Sequence, residues 1–381
     1  MPMVNKWSQR NKPMKVLVTG ANGFIGKNLV LRLRERASTE VLTLVRSDGE
    51  SAWQAALAQV DAVVHLAGEN RPTDPAAFDA VNIGLTQRLC QTLQSLGKRT
   101  PVLFSSSAQV EQDNPYGRSK RAAEEALAQL AQHNGNPVAI YRLPGVFGKW
   151  CRPNYNSVVA TFCHNKAHDL PVQINDAQAR VRLVYVDDVV NAFLQALEEP
   201  IVGLSHPSMS PEYDITLGEL SDQIDAFKNC RSTLVSERVG TGLTRALYAT
   251  YVSYLPVEKF AYSVPAYGDA RGVFVEMLKT PDAGQFSFFT AHPGITRGGH
   301  YHHTKTEKFL VIKGHARFGF RHMLTNEVHH LETSGEYPEV VETVPGWTHD
   351  ITNIGSEEMV VMLWANEIFD RANPDTIASK V

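Results

Sequence analysis

A glycine-rich turn near the N-terminus constrains the fold of this chain more than any other feature of its sequence. The turn GANGFIG lies directly between the apolar run KVLVT and a helical pattern that begins near Phe24. Glycines at this junction permit a tight turn and let a pyrophosphate sit on the helix N-terminus, where unpaired N–H groups and the helix dipole favour an anion. The turn therefore predicts a dinucleotide site, formed by Gly20, Asn22, Gly23, Phe24, Ile25 and Gly26.

After this turn, short apolar runs alternate with longer helical patterns. The runs EVLTLVR, DAVVHLAG, PVLFSSSA and PVAIYRLPGVFG follow one another to about residue 145, and strand–helix patterns return within 181–199 and 216–229. This alternation is typical of βαβ units, and it predicts a Rossmann-like α/β domain with a doubly wound parallel sheet over residues 14–245. Residues 1–13 are polar and lack the apolar segment of a secretory signal, so they are predicted to form a disordered leader.

The last third of the chain has a different texture. Short β-rich runs such as EKFLVIKG and ARFGFRH are separated by glycine-bearing turns, and nine of the fourteen histidines follow residue 290. Many short strands with turn signals predict a sandwich or barrel, here over residues 246–381. A chain of 381 residues exceeds the size at which one hydrophobic core keeps growing, which also favours two domains.

Composition excludes several classes of partner. The formal net charge of −3 shows no basic excess, which argues against nucleic acid as a partner. The sequence contains no run of about 18 apolar residues that could span a membrane. The four cysteines are scattered without a C-x-x-C pair, which favours a reduced, cytoplasmic setting over a disulfide scaffold.

The second apolar run bears on the choice of dinucleotide. It ends in Arg46, where an acidic residue would suit the ribose 2′-hydroxyl of NAD. A guanidinium grips a 2′-phosphate bidentately, so Arg46 favours NADPH as the cofactor. The alternative interpretation is a solvated arginine at a strand end.

A tyrosine and a lysine four residues apart predict a proton-transfer site. Tyr116 and Lys120 in PYGRSK open a helical segment, and this spacing places them on one helix face. An ammonium close to a phenol favours the phenolate, which would lower the pKa of Tyr116 and let it exchange a proton with a carbonyl or alcohol. Ser107, at the end of VLFSSSA, is placed to hydrogen-bond the reacting oxygen.

Histidines and a carboxylate in the C-terminal third predict a metal site. His300 and His302 point to one face of a strand, Glu307 on the next strand can return to meet them, and His349 follows in PGWTHDITN. Three imidazoles and a carboxylate suit a divalent zinc, iron, manganese or nickel ion. His303 is an alternative ligand, although alternation points it the other way.

On these motifs, residues 15 to about 245 resemble the extended short-chain dehydrogenase/reductase family. The matching pieces are GANGFIG, DAVVHLAG, FSSSA, PYGRSK and VYVDDVV. The resemblance implies that Tyr116 is the proton donor, Lys120 its partner and ribose anchor, and Ser107 the third catalytic group, with Ser106 as the alternative. It also implies that the dinucleotide contacts Leu66, Ala67, Gly68, Tyr116 and Lys120.

The histidine-rich segment resembles the two cupin motifs. The first motif matches at every position from Gly294 to Gly314, and the second has its proline and glycine adjacent before His349 and Asn353. This resemblance implies a metal-binding jelly-roll barrel with His300, His302, Glu307 and His349 as ligands, and zinc is the expected ion.

Together, the two domains resemble the bifunctional UDP-sugar epimerase/reductases of capsule and O-antigen synthesis, the CapF/WbjC-like family. The resemblance implies that the cupin inverts C3 of a UDP-4-keto-6-deoxy-N-acetylhexosamine. The first domain then reduces the C4 ketone with NADPH to UDP-N-acetyl-6-deoxy-L-talosamine, a precursor of UDP-N-acetyl-L-fucosamine. Because the C3 proton is acidic only beside the ketone, epimerisation must precede reduction. The family also implies a homodimer.

Several assignments stay open from the sequence. The base at C3 is one of Tyr301, His303, His315 and Tyr337, and Arg152 and Arg182 are candidates to bind the UDP diphosphate. The apolar side of helix 117–132 packs either on a partner or within one subunit; it consists of Ala122, Ala123, Ala126, Leu127 and Leu130. The alternative functions are a single-activity NADPH-dependent reductase with a structural cupin, and a sensor that binds NADPH without chemistry.

Overall fold

The structure is a computed structural model that describes residues 12–45, 47–74, 76–269, 272–275, 278, 285–367 and 372–381. The helices are α1 (Phe24–Arg34), α2 (Glu50–Gln59), α3 (Gly84–Ser95), α4 (Pro115–Asn134), α5 (Val158–Ala167), α6 (Val186–Glu198), α7 (Leu217–Thr233) and α8 (Gly242–Val252). A π-helical turn, Phe78–Ile83, precedes α3, and short 3₁₀ turns cover Ala108–Glu111 and Val257–Lys259. Arg46 and most of the leader lie outside the described residues.

Nine strands lie among the described residues up to residue 216. They are β1 (Met14–Thr19), β2 (Thr39–Leu44), β3 (Ala62–His65), β4 (Val102–Ser107), β5 (Val138–Leu143), β6 (Gly145–Phe147), β7 (Arg180–Tyr185), β8 (Leu204–Ser205) and β9 (Tyr213–Thr216). Six of them form a parallel sheet in the order β2-β1-β3-β4-β5-β8. The strand order reverses between β1 and β3, and at such a switch point the loops after both strands open a crevice. The glycine turn follows β1, and Leu66 to Gly68 follow β3.

Helices cover both faces of this sheet. On one face α1 and α6 bury Leu29, Val189 and Phe193, and on the other α2, α3 and α4 bury their own apolar side chains. A parallel sheet buried on both faces is built from near-continuous apolar runs, and the segments KVLVT and DAVVH are mainly apolar in this way. Ala123, Leu127 and Leu130 of α4 lie in the second core and Ala126 packs against it, so burial within one subunit accounts for most of the apolar side of this helix.

The C-terminal part is built from antiparallel strands. They are β10 (Ala261–Ser263), β11 (Ala266–Asp269), β12 (Gly272–Val275), β13 (Gln285–Ala291), β14 (Thr296–Tyr301), β15 (Glu307–Lys313), β16 (His315–His322), β17 (Val328–Ser334), β18 (Glu339–Glu342), β19 (Trp347–Asn353), β20 (Met359–Ala365) and β21 (Ile377–Ala378). Two five-stranded sheets form, in the orders β10-β18-β15-β20-β13 and β17-β16-β19-β14-β21. The fold confirms the prediction of a parallel α/β sheet followed by an all-β region.

By contacts, the chain divides into two compact units. One comprises residues 1–146 and 182–214, and the other comprises residues 147–181 and 215–381. Helices α5, α7 and α8 therefore group with the β-rich unit, where they pack on one another. The predicted boundary near residue 245 stays a prediction. In the described part of the chain, no helix is both long and apolar enough to cross a membrane.

Candidate cofactor, reducing and metal sites

The glycine turn leaves no room for a Cβ atom at Gly20 or Gly26. Gly20 has a φ of +69°, and a Cβ there would lie 2.6 Å from the backbone nitrogen of Ala67. A Cβ on Gly26 would lie 2.2 Å from the carbonyl oxygen of Gly20. Gly23, whose N–H donates to Gly20 at 2.9 Å, is the N-cap of α1 without a side-chain cap, and no acidic residue lies in the first turn of this helix. A free, uncapped helix N-terminus beside a close-packed backbone fits a pyrophosphate.

The other predicted cofactor residues lie around this turn. Asn22 is exposed, Phe24 is half-buried and Ile25 packs against the core of the parallel sheet. The Ala67 N–H donates to Thr19 Oγ1 at 3.3 Å, which ties the loop after β3 to the end of β1. A Cβ on Gly68 would lie 3.4 Å from Lys120 Nζ, so this loop also borders the lysine.

The start of α4 positions Tyr116. Asn114 caps the helix by accepting the Gly117 N–H at 2.7 Å, and proline occupies the first helical turn, where its missing N–H costs nothing. Ser107, at the end of β4, is near enough to the Tyr116 hydroxyl to lower the pKa of this phenol. Its ring lies 5.9 Å from the ring of Phe78. The tyrosine and a serine hydroxyl therefore meet at the carboxyl edge of the sheet.

The two candidate serines have different partners. Ser107 accepts the N–H of Gln109 at 3.1 Å and interacts with Tyr116, whose pKa it lowers, whereas Ser106 donates to Glu124. Glu124 is in turn held by Arg142, whose Nη2 lies 2.8 Å from the carboxylate. Neighbouring strand residues face opposite ways, so only one serine can lie beside the tyrosine. The geometry favours Ser107 over Ser106.

Lys120 is buried and does not act on Tyr116 as expected. Its Nζ donates to the carbonyl oxygen of Ser105 at 2.8 Å and lies 4.8 Å from the ring centroid of Phe104. Burial lowers the pKa of Lys120 to about 8, although Glu124 acts in the opposite direction. Burial also raises the pKa of Tyr116, opposed by the hydrogen bond to Ser107. The expected lowering of the tyrosine pKa by Lys120 is thus wrong for the protein without nucleotide, because desolvation dominates.

Four potential metal ligands meet in the β-rich unit. One ligand atom each from His300, His302, Glu307 and His349 lies within 4.8 Å of all the others. His300 and His349 are cross-strand partners on β14 and β19, and a bulge at Gly298 precedes His300. His302 follows directly after β14, and Glu307 opens β15. The cluster contains the four residues predicted from the sequence and leaves out His303.

The donor set fits a cation. His302 Nε2 and His349 Nε2 lie 3.1 and 3.5 Å from the same oxygen of Glu307. The second distance is too long for a normal hydrogen bond, and this buried nitrogen has no hydrogen-bond partner among the described residues. Burial lowers the pKa of His300 to about 3, and the other two imidazoles add to the effect. Neutral imidazoles and an ionised carboxylate are the ligand forms that a divalent ion requires.

A lysine that the sequence analysis overlooked also reaches this cluster. Lys305 Nζ lies 3.1 Å from Glu307 Oε1, and both side chains are buried. The candidate bases divide by exposure: Tyr301 and His303 are buried with their rings 5.4 Å apart, whereas His315 is exposed and Tyr337 is 75% exposed.

The remaining predicted residues have other partners. Arg182 pairs with Glu212 at 2.5 Å, and the guanidinium of Arg152 lies 5.2 Å from the ring centroid of Tyr155. Their assignment to the UDP diphosphate stays a prediction. Asn353 donates to the carbonyls of Ala291 and Glu357, so it closes a loop after β19.

Fold and site together define a dinucleotide-binding α/β protein with an all-β C-terminal region. Residues 16–207 match the NAD dependent epimerase/dehydratase family, and residues 267–377 match the polysaccharide biosynthesis C-terminal domain. The UDP-2-acetamido-2,6-beta-L-arabino-hexul-4-ose reductase of Pseudomonas aeruginosa is 57% identical over 368 residues, which are 97% of this chain and 99% of the relative.

Solved structures agree with these matches. The capsular polysaccharide assembling protein CapF of Staphylococcus aureus is 41% identical with a TM-score of 0.66, covering 97% of this chain and 100% of that one. MoeE5 in complex with UDP-glucose and NAD is 21% identical with a TM-score of 0.53 over 63% of this chain and 98% of its own, a likeness of fold alone. The chain belongs to the NAD dependent epimerase/dehydratase family and, within it, to the CapF-like proteins. This membership implies a nicotinamide dinucleotide as cofactor.

Proposed function

We propose that this protein is a bifunctional nucleotide-sugar enzyme. Its β-rich domain inverts C3 of a UDP-4-keto-6-deoxy-N-acetylhexosamine, and its α/β domain then reduces the C4 ketone with NADPH. The product is UDP-N-acetyl-6-deoxy-L-talosamine, a precursor of the UDP-N-acetyl-L-fucosamine used for capsule or O-antigen. The observation that carries the proposal is the 57% identity, over 97% of this chain, to a hexul-4-ose reductase. The two clusters of side chains, one for proton transfer and one for a metal ion, give each step a site.

The reducing site needs one proton and one hydride. When bound, NADPH would supply the hydride to C4. Tyr116 would donate its phenolic proton to the C4 oxygen, and Ser107, next to the tyrosine, would hydrogen-bond that oxygen. Lys120 borders the loop of Gly68 and carries the positive charge that a bound ribose and a developing phenolate both favour.

The epimerising site needs a stabilised enolate, and it needs one of the candidate bases named above to take the C3 proton so that a proton can return on the opposite face. His300, His302, Glu307 and His349 would hold a divalent ion, for which we propose zinc. Such an ion supplies Lewis-acid polarisation of the C4 ketone, which makes the neighbouring C3 proton acidic. Three of the four side chains, His302, Glu307 and His349, are buried, which strengthens the electrostatic interactions within the cluster.

Four finer assignments belong to the proposal. We assign NADPH over NADH on Arg46, which a comparison of kcat/KM for the two cofactors in wild type and Arg46→Ala would test. We also propose a domain boundary near residue 245, a cytoplasmic location and a homodimer. The molar mass from light scattering during size-exclusion chromatography would test the homodimer.

The proposal is tested by isotope exchange at C3. The protein is incubated with a UDP-4-keto-6-deoxy-N-acetylhexosamine in D₂O without NADPH, and deuterium at C3 is followed by NMR in wild type and His302→Ala. We expect exchange in wild type and its loss in the variant. His292→Ala is a matched control because His292 is 81% exposed and is not one of the cluster's ligands.

The same experiment separates the alternative function. A single-activity reductase with a structural cupin would oxidise NADPH with the ketone while showing no exchange at C3 in wild type. That result would remove the epimerase from the proposal and leave the reductase.

A further inference from the structure

The C-terminal segment of the chain, residues 372–381, lies against β14, the strand that carries His300 and leads into His302. β21 pairs with β14, with Ala378 opposite His300 and Ile377 opposite Tyr301. The Ser379 N–H donates to the Gly299 carbonyl at 2.8 Å. This segment therefore contacts the candidate metal site at His300 and His302, although it lies more than seventy residues further along the chain.

One carboxylate in this segment gathers four donors. Asp375 accepts the backbone N–H groups of His303, Thr304 and Lys305 at 2.8, 2.6 and 2.7 Å, and the Thr304 hydroxyl at 3.0 Å. These three residues form the loop between His302 and Glu307, so the carboxylate fixes the backbone that joins two ligands. Hydrogen bonds to an ionised carboxylate are about twice as strong as neutral ones.

The backbone of the same residue contacts a ligand directly. The carbonyl oxygen of Asp375 is hydrogen-bonded to Nδ1 of His302. Because a carbonyl only accepts, Nδ1 carries the proton of this hydrogen bond, and Nε2 is the nitrogen that faces Glu307. With Nδ1 held in this way, Nε2 is the atom that would be left to share a divalent ion with Glu307.

We propose that Asp375 is a positioning residue of the metal site, and this inference rests on the proposed function. Its carboxylate clamps the loop 303–305, and its carbonyl oxygen is thereby held on Nδ1 of His302, which fixes the tautomer and the ring orientation of this ligand. No atom of Asp375 binds the ion. The role is that of the outer partner on which metal-ligating imidazoles depend.

The test is metal affinity in Asp375→Asn. The amide keeps the size of the side chain but turns an N–H₂ group towards the loop's N–H donors, which loosens the clamp. The remainder of the segment stays attached, because Arg321 and Thr348 bind the backbone of Ser379 and Lys380. We expect the Kd for Zn²⁺, measured by chelator competition, to rise about 10- to 100-fold. Lys380→Ala, an exposed change in the same segment, should leave it unchanged.

A spectrum distinguishes positioning from general loosening. Co²⁺ is loaded in place of zinc, and its visible absorption reports ligand geometry; Asp375→Asn should shift the bands, while Lys380→Ala should reproduce the wild-type spectrum. Wild-type affinity and an unshifted spectrum in Asp375→Asn would overturn the inference and leave the proposed metal site intact. Failure of wild type to bind metal would instead overturn the proposed function.

A milder variant covers the case in which Asp375→Asn does not fold. Thr304→Val keeps the shape of the side chain and removes one hydrogen bond to the carboxylate. We expect the Kd for Zn²⁺ to rise about two- to tenfold, the worth of one hydrogen bond. An unchanged Kd in this variant would count against the clamp.

Discussion

Replacing Lys120 with methionine should stabilise the protein in the absence of nucleotide while abolishing reduction. Lys120 is 6% exposed, and burial lowers its pKa to about 8 from the ordinary value of 10.5. A buried lysine with a lowered pKa destabilises the folded state whenever it is charged. Methionine keeps much of the length and removes the charge, so this penalty disappears in Lys120→Met.

The magnitude follows from the difference between the two pKa values. At about 1.4 kcal/mol for each pKa unit, a charged Lys120 costs the folded protein about 3 kcal/mol at pH 7. Loss of the hydrogen bond to the Ser105 carbonyl reduces this gain in stability by about 1 kcal/mol. We therefore expect Lys120→Met to be about 2 kcal/mol more stable than wild type at pH 7.

The dependence on pH has a defined sign. Because the folded state binds the lysine proton less tightly than the unfolded state, the penalty is full below pH 8 and is lost as the pH rises towards 10.5. The stability of wild type should therefore rise over this window relative to the variant. By pH 9 the difference between them should shrink by about 1.4 kcal/mol.

Hydrogen exchange measures this prediction locally. Amide protection in β4, Val102–Ser107, reports the opening free energy of the parallel sheet at pH 7 and at pH 9. Lys98→Met is a matched control: Lys98 donates to the carbonyls of Leu57, Ala58 and Val60, so its loss should destabilise the same unit. The reasoning would be refuted if Lys120→Met were less stable than wild type at pH 7, or if the difference in stability between the two proteins did not change with pH.

Two further substitutions test the cofactor turn and the buried charges. Gly26→Ala should weaken NADPH binding, measured by fluorescence titration, because its Cβ would lie 2.2 Å from the Gly20 carbonyl; Gly49→Ala, at the N-cap of α2 with open space around it, should not. Glu342→Gln should lower the free energy of unfolding in urea by about 3–5 kcal/mol, because it leaves the buried Lys308 and the partly buried Arg231 without their counter-charge. A loss below about 1 kcal/mol would contradict that account of the ion pair.

Much of the fold could be predicted because local pattern and tertiary environment agree. The runs that form β1, β3 and the first half of β4 are mainly apolar since both faces of the parallel sheet are buried, and the glycine turn lies at the switch point that the strand order creates. The metal cluster was predictable for a similar reason. Strand alternation sends His300 and His302 to the face on which His349 lies opposite, and turns Tyr301 and His303 away together.

Other features depend on packing that no local pattern carries. Ser106 and Ser107 are adjacent in sequence, and only the side of β4 on which α4 presents Tyr116 distinguishes them. The lowered tyrosine pKa was wrong because spacing along a helix does not reveal that Lys120 is desolvated and turned to Ser105. Asp375 was missed entirely, since its partners are 70 to 73 residues away in sequence.

The most direct test of two activities on one chain is Tyr116→Phe assayed for both steps. Deuterium exchange at C3 of the 4-keto sugar is measured without NADPH, and NADPH oxidation is then measured with the same substrate. Two separate sites predict that exchange stays close to wild type while NADPH oxidation falls about 10²- to 10⁴-fold, because only the proton donor of reduction is removed. Loss of exchange together with reduction in a folded Tyr116→Phe protein would contradict the account and place both steps at one site.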